Sequence, residues 1–259
     1  MRKQFAMMIA LVMIAAAGCK KDKANDPEDG GSNGKTKYIS KVTSSTDGQQ
    51  TVYNATYDGQ NRLTAYNTQD GTEKVTFTYG ANDALVKFET ENEDGKEVFD
   101  VTYNASGVPL TGKHSIYDQT TKVYEEDLTY TVADGKVTQM EAKNADDEVT
   151  RYTVTYQNGN VTRIRMEASG IAVSIEGTYG TKKSAFAGIN FKYLVSPVHL
   201  FQYYSKNELL TTTSKQGDQV LLRSAWTYTY DGDGYPLTST SSNPDDPEET
   251  ATTATYQYK

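Results

Sequence analysis

Asp-Gly and Asn-Gly pairs recur along this chain at spacings that suit the turns of short hairpins. Both residues of such a pair tolerate positive φ, which two-residue hairpin turns require, so each pair between β-forming runs predicts a hairpin. The pairs begin at Asp47, Asp58, Asp70, Asp94, Asp134, Asn158, Asp231 and Asp233. So many hairpin signals restrict the chain after residue 37 to an all-β, antiparallel fold.

Between the turns, apolar and polar residues alternate with a period of two. Val75, Phe77 and Tyr79 alternate with Lys and Thr, and the same pattern is found in residues 98–103, 152–156 and 171–176. Because successive side chains of a strand point to opposite faces, one face of the sheet is predicted to be buried and the other to face water. Tyr and Thr dominate these runs, as expected for strand formers.

A tyrosine closes a strand before a turn about every 22 to 27 residues, which is the length of one hairpin with its turns. These tyrosines are Tyr57, Tyr79, Tyr103, Tyr130, Tyr156, Tyr179 and Tyr230. The last interval is about two periods long, so one hairpin has been replaced. The pattern predicts a long antiparallel meander of about sixteen strands in a single domain, residues 38–259.

The replaced hairpin contains the densest apolar run outside the first twenty residues, Ser184 to Tyr204. A one-sided sheet of this size has to roll up, fold over or be plugged, because its apolar face cannot stay open. We therefore predict a rolled or barrel-like sheet. An apolar loop or short helix, at about residues 184–207, is expected to cover or plug the apolar face.

A helix inside that run is predicted to begin at Ser196 and Pro197, with Ser as N-cap and Pro at the first helical position. Val198 and Phe201, together with Leu200 and Tyr204, are expected on one face, and Asn207 offers a stop.

Residues 1–18 have the pattern of a secretory signal: Arg2 and Lys3 precede an apolar stretch too short for a comfortable membrane span. The stretch ends in Ala16-Ala17-Gly18-Cys19, which resembles the lipobox of bacterial lipoproteins. This resemblance implies cleavage before Cys19 and its acylation, for instance with palmitate, and multiple acyl chains would hold the protein stably at a membrane. The alternatives are a plain secretory signal with an incidental cysteine, or a retained helical anchor.

Residues 19–37 are predicted to form the lipidated Cys and a flexible tether, because Lys20 to Lys37 has no aromatic residue and no aliphatic residue beyond Ala24. The formal net charge of −8 predicts no attraction to nucleic acid or anionic headgroups. The predicted location is the outer membrane, lipid-anchored through Cys19. Which face of that membrane carries the domain is not determined by the sequence.

Catalytic and metal-binding patterns are weak. His114 lies in a predicted strand, and His199 in the apolar run is expected to be a packed or hydrogen-bonded residue. One cysteine and two separated histidines do not make a closed zinc site. We therefore predict no enzyme, no catalytic residue, no metal and no cofactor.

Three acidic groups were weighed as sites. Residues 231–234 hint at a calcium loop, but a hairpin turn is the preferred interpretation. The run at residues 245–249 is expected to be an exposed loop. Glu125 and Asp127 share a strand face, as a glycosidase pair would need, but acidic residues are common throughout the chain.

The hairpins Tyr-x-Thr-Tyr-x-(Asp/Asn)-Gly, the segment Gly180 to Phe186 and the later Ser205-Lys206-Asn207 resemble a family of secreted bacterial lipoproteins. That family is catalogued as a domain of unknown function with a porin-like β-fold, and the similarity covers about residues 38–259. The family often has Asn-Pro-Phe where this chain has Ser184-Ala185-Phe186. Residues 57–64 and 228–232 are similar to YD-repeat hairpins.

Function is predicted only coarsely. The first hypothesis is a non-enzymatic binding or interaction module for a glycan or another envelope protein, because Tyr faces stack on sugars. The second is a carrier of an apolar ligand inside the rolled sheet. The ligand-binding residues are unknown at this level.

Overall fold

The computed structural model describes residues 35–189, 191–246 and 248–259. The predicted signal segment, Cys19 and residues 20–34 lie outside the described residues, so predictions on them stay predictions. Within the described part of the chain, no helix is both long enough and apolar enough to cross a membrane.

The fold is a closed antiparallel barrel of sixteen strands in sequence order, with β1 pairing β16. The strands are β1 Ile39–Thr46, β2 Gln49–Tyr57, β3 Leu63–Thr68, β4 Lys74–Tyr79, β5 Leu85–Asn92, β6 Gly95–Tyr103, β7 Pro109–Asp118, β8 Thr121–Ala133, β9 Lys136–Asn144, β10 Val149–Gln157, β11 Asn160–Ala168, β12 Ile171–Lys183, β13 Asn207–Gln216, β14 Gln219–Tyr230, β15 Pro236–Ser242 and β16 Thr252–Tyr258. In the described part of the chain, the helix α1 Pro197–Tyr204 lies between β12 and β13, and Ala81–Asp83 form a 3₁₀ turn. The predicted all-β meander is confirmed, and its rolled form is a complete barrel.

Several turns have the predicted two-residue form. Asp47 and Gly48 both have positive φ, 51° and 76°, as do Asp134 and Gly135, 51° and 71°. Asp58-Gly59 differs. Its turn extends to Arg62, and the left-handed residue is Asn61 at φ 59°, while Asp58 Oδ1 accepts the N–H groups of Gln60 and Arg62. The Asp58 side chain and one left-handed residue, Asn61, therefore close this longer turn together.

The recurring tyrosines have a common structural role. At the Thr-Tyr steps 56/57, 78/79, 102/103, 155/156, 178/179 and 229/230 the strand register shifts, as in a β-bulge. Five of these six phenol groups donate to a backbone carbonyl: Tyr57 to Ile39, Tyr79 to Leu63, Tyr103 to Leu85, Tyr156 to Val137 and Tyr179 to Val161. The sixth, Tyr230, donates to Glu208 Oε1, and the nearby Tyr228 and Tyr258 make the backbone contact with Leu209 and Pro236. Tyr130 donates instead to Val195 of the segment that interrupts the strands.

The interrupting segment fills part of the barrel interior. We call residues 184–189 and 191–206, with α1, the plug. Leu194, Val195 and Leu200 of the plug are completely buried. A sixteen-stranded barrel is too wide for its own side chains to fill, so the plug supplies apolar volume that the wall cannot. The prediction that this segment plugs the apolar face is confirmed.

Hydrogen bonds tie the C-terminal end of the plug to the wall and join the two ends of the plug to each other. Asn207 N–H donates to Asn160 Oδ1 at 2.8 Å, and the Ser205 hydroxyl accepts from Val161 N–H at 3.3 Å. Ser184 N–H donates to the Lys206 carbonyl at 3.0 Å. We call this end of the barrel, where the plug enters and Tyr38 pairs with Lys259, the plug end.

The helix begins where the sequence predicts, but its contacts differ. Ser196 is the N-cap by position, yet its side chain makes no capping hydrogen bond. The buried residues are Pro197, Leu200, Phe201 and Tyr203, whereas Val198 is only half-buried. Leu200 and Phe201 of the predicted apolar face are buried, and Val198 and Tyr204 pack against the core. Pro197 and Tyr203 are buried as well, because a helix inside a barrel is surrounded on several sides.

The outer surface of the barrel is charged. Lys113 Nζ lies 2.8 Å from Glu125 and 2.9 Å from Asp127, so the carboxylates weighed as a glycosidase pair share an outward face and bind a lysine. Further pairs between neighbouring strands join Arg151 to Glu141, Lys215 to Glu176 and Lys74 to Glu91. A lipid-facing wall would present an apolar band here instead.

Candidate functional site

The plug lies off-centre and packs against one side of the barrel. Phe191 of the plug packs on Phe77 of β4 with ring centroids 5.3 Å apart, and Tyr203 meets the same ring edge-on at 6.1 Å. On this side His199 of α1 also meets Phe99 of β6, at 5.0 Å. The opposite side of the interior is less completely filled.

A cavity of about 320 Å³ lies between the plug and the inner faces of β12–β16 and β1–β4. Aromatic and aliphatic side chains dominate its lining, including Phe186, Phe201, Trp226, Tyr228 and Tyr256. Its volume falls at the lower end of small-ligand sites, about 300–1,000 Å³. Trp226 is the single tryptophan of the chain, so its fluorescence reports on this cavity alone.

The cavity runs between the two ends of the barrel. Glu73, in the turn between β3 and β4 at the end opposite the plug end, is exposed and accepts a hydrogen bond from the Tyr53 hydroxyl at 3.0 Å. Glu208, at the start of β13, lines the same cavity at the plug end. The cavity therefore reaches the surface near Glu73 and extends inward to a buried carboxyl group.

Glu208 is 4% exposed. Its Oε1 accepts a hydrogen bond from the Tyr230 hydroxyl at 3.2 Å, whereas its Oε2 is buried and has no hydrogen-bond partner among the described residues. Burial, which disfavours the charged form, raises the pKa of this carboxyl despite its hydrogen bonds.

A second polar cluster lies where the plug meets β6, β7 and β8. His114 Nδ1 lies 3.1 Å from Glu126 Oε2, and Glu126 Oε1 accepts from the Tyr124 hydroxyl at 2.7 Å. Glu97 Oε2 lies 3.1 Å from His199 Nε2 and 3.6 Å from His114 Nε2, within ion-pair distance of both rings. The cluster joins α1 to three neighbouring strands.

The pKa values of this cluster shift in opposite directions. Burial acts to raise the pKa of Glu97, but the contacts of His114 and His199 outweigh burial and hold it well below its usual range. Burial acts to lower the pKa of His114, but contacts with Glu126 and Glu97 leave it raised. Both shifts favour the ion pair.

Ser196, His199 and Glu97 form a chain of contacts that has the residue types of a hydrolase triad. Ser196 Oγ lies 2.9 Å from His199 Nδ1, and Glu97 contacts the other ring nitrogen. Ser196 is only 1% exposed, and the space beside it is about 20 Å³, room for about one water molecule. A nucleophile has to reach a substrate carbonyl, so this chain of contacts fits a structural link between plug and wall better than a catalytic group.

The other acidic groups considered as sites, at residues 231–234 and 245–249, lie in surface turns. Asp231 Oδ1 accepts the N–H groups of Asp233 and Tyr235 in a hairpin turn, and both aspartates contact Lys37 Nζ at 2.7 Å. Asp245 pairs with Arg223 at 2.8 Å. Among the described residues, no group of three or more His, Cys, Asp and Glu side chains could hold a metal ion.

Sequence reasoning named His114 and His199 but did not place Glu126 beside His114, and it missed Glu97 and Glu208. The signal for Glu126 was present, because it shares strand parity with the buried Leu128 and Tyr130. Glu97 likewise shares parity with Phe99 and Val101, whose side chains are buried in the barrel.

No family model matches the chain, and no curated protein sequence matches it. Two solved structures are similar in fold. A porin-like protein from Bacteroides vulgatus ATCC 8482 superposes with a TM-score of 0.54 at 12% identity, over 86% of this chain and 99% of that chain. A porin-like protein from Bacteroides uniformis ATCC 8492 gives 0.53 at 15% identity, over 85% and 96%. The chain therefore has a porin-like β-barrel fold.

Proposed function

We propose that this protein is a non-enzymatic binding protein that holds a small, largely apolar molecule in the cavity between plug and wall. The observation that carries the proposal is the cavity of about 320 Å³, enclosed by the plug and lined mainly by apolar and aromatic side chains. Sites for small molecules are usually preformed and of this character. The plug is tied to the wall at its C-terminal end and its two ends are joined to each other, so the cavity is part of the folded protein.

The position of the tyrosines bears on the alternative function, which is the binding of a glycan. An exposed row of tyrosines would favour a glycan-binding face, but most of the repeated tyrosines donate hydrogen bonds to backbone carbonyls of the barrel wall. They give no support to that face. Binding of a glycan or an envelope protein elsewhere on the surface stays a prediction.

The proposed location is the outer membrane, with a lipid anchor on Cys19 as the membrane attachment. The charged outer surface of the barrel supports an anchored protein with its wall in water over one whose strands cross the bilayer. The described chain begins at the plug end, where Lys37 pairs with Asp231. An anchor attached through this side leaves the opening near Glu73 free to face away from the membrane.

Titration with octanol, followed by Trp226 fluorescence and calorimetry, tests the proposal. We expect a saturable change in emission with matching heat. Filling the cavity with Ala254→Leu should weaken binding, whereas Thr253→Leu, the exposed neighbour on β16, is the matched control. Absence of saturable binding to the wild type, or equal binding to both variants, contradicts the proposal.

A further inference from the structure

We propose that the ligand of this cavity carries a protonated amine on an apolar body, and that the amine pairs with Glu208. The inference rests on the proposed function, since it assigns a chemical class to the ligand of the same cavity. Three features of the cavity support it: an unsatisfied buried carboxylate oxygen, the space made for that carboxyl group, and the charge balance of the lining.

The unsatisfied oxygen is the first feature. A buried carboxyl group costs free energy unless its oxygens are paired, and native proteins leave few such atoms alone. Glu208 Oε2 has no hydrogen-bond partner among the described residues, although Oε1 is bound by Tyr230. An ammonium group offers three donors and a full positive charge, so pairing with the Glu208 carboxyl group in the cavity lining would offset the cost of its burial and favour the ionised carboxylate.

The room given to the carboxyl group is the second feature. A Cβ on Gly180 of β12 would lie 2.1 Å from Glu208 Oε1. Gly180 does not have a positive φ, so the backbone conformation does not require a glycine at this position. The absence of a side chain instead leaves room for the Glu208 carboxyl group. The carboxyl group therefore occupies a place that the neighbouring strand leaves open for it.

The charge of the lining is the third feature. Among the described residues that line the cavity, the ionisable groups other than tyrosines are two carboxyls, Glu73 and Glu208, and one imidazole, His199, with no lysine or arginine. Lys182, the basic residue that acts on Glu208 electrostatically, is exposed and does not line the cavity. Such a cavity repels an anionic head group, and the faces of Trp226 and Tyr228 also favour a cation.

Octylamine, octanol and octanoate, which share one alkyl chain, test the inference on the full-length protein at neutral pH. Trp226 fluorescence and calorimetry give the affinities. A charge-assisted hydrogen bond to Glu208 should make octylamine bind about tenfold more tightly than octanol, and octanoate more weakly than either. Glu208→Gln should abolish the preference for octylamine over octanol. Glu125→Gln, which removes a carboxylate from the outer surface, should keep the preference.

The outcomes separate the two proposals. Equal affinities for octylamine and octanol in the wild type, or tighter binding of octanoate, overturn the amine inference but leave the binding of apolar molecules standing. A preference that persists in Glu208→Gln overturns the assignment to this residue. If none of the three compounds binds saturably, the proposed function itself fails. The wild-type comparison decides the class of head group even if the variant folds poorly.

Discussion

At the scale of single residues, Glu97 and His114 make the stability of the barrel depend on pH. The pKa of Glu97 is lowered, so its contribution is present above its unfolded pKa of about 4.3 and is lost as pH falls through the folded value. The pKa of His114 is raised, so its contribution is complete below about 6.5 and is lost as pH rises through its folded value. Both contributions to stability are therefore present between about pH 4.3 and about pH 6.5.

We therefore expect the wild type to lose stability as pH rises above about 6.5, because His114 then loses its proton and its attraction to Glu97 and Glu126. Urea unfolding at several pH values measures this slope. His114→Gln should have a smaller slope, while Glu125→Gln on the outer surface should retain it, since the pKa of Glu125 is about 2, lowered by Lys113 and Lys122. A variant at His114 with the wild-type slope would show that the cluster does not control the dependence.

The residues of these sites were only partly predictable. Glu126 and His114 lie on the inner face by the same alternation that predicted the strands, so their burial was implied by the sequence. The contacts between these side chains depend on which strands become neighbours, and the contact of His199 with Glu97 depends on the position of α1. Neither is recorded in the local sequence. Glu208 follows an irregular register between β12 and β13, so simple parity did not place it in the interior.

At the scale of elements, the plug and the wall stabilise each other through apolar packing. Leu200 in α1 is completely buried, so Leu200→Ala should lower the free energy of unfolding by about 2–5 kcal/mol. Leu221→Ala on β14, where the leucine is 44% exposed, is the matched control and should change it by less than about 0.5 kcal/mol. Urea denaturation measures both. Equal effects would mean that the plug does not pack as a core element.

The elements themselves were largely predictable, because their signals are local. Asp47-Gly48 and Asp134-Gly135 specify turns through their own backbone preferences. The apolar run at Ser184 to Tyr204 indicated a plug, because an open apolar face has to be covered. The cavity was not predictable. It exists because the plug packs to one side, against Phe77 and Phe99, and no periodicity in the sequence records that asymmetry.

At the scale of the whole molecule, a porin-like barrel could attach to a membrane in two ways: its strands could span the bilayer, or a lipid anchor could hold it. The charged outer wall distinguishes between them. Burying charged side chains such as Lys113 and Arg151 on a lipid-facing wall would cost up to about 2–4 kcal/mol for each at the bilayer midplane. Several such residues on neighbouring strands make spanning unfavourable. Two or more acyl chains on Cys19 would instead suffice for stable attachment.

A lipid anchor on a barrel with a charged wall predicts different behaviour for wild type and Cys19→Ser in the producing cells. The wild type should incorporate labelled palmitate and sediment with membranes. Cys19→Ser should take up no label and, once exported, should leave the membrane fraction, because the charged wall gives the barrel no affinity for lipid. Normal labelling of the variant would contradict the lipid anchor. An unlabelled variant that stays in the membrane after an alkaline carbonate wash would instead show that the strands themselves are embedded.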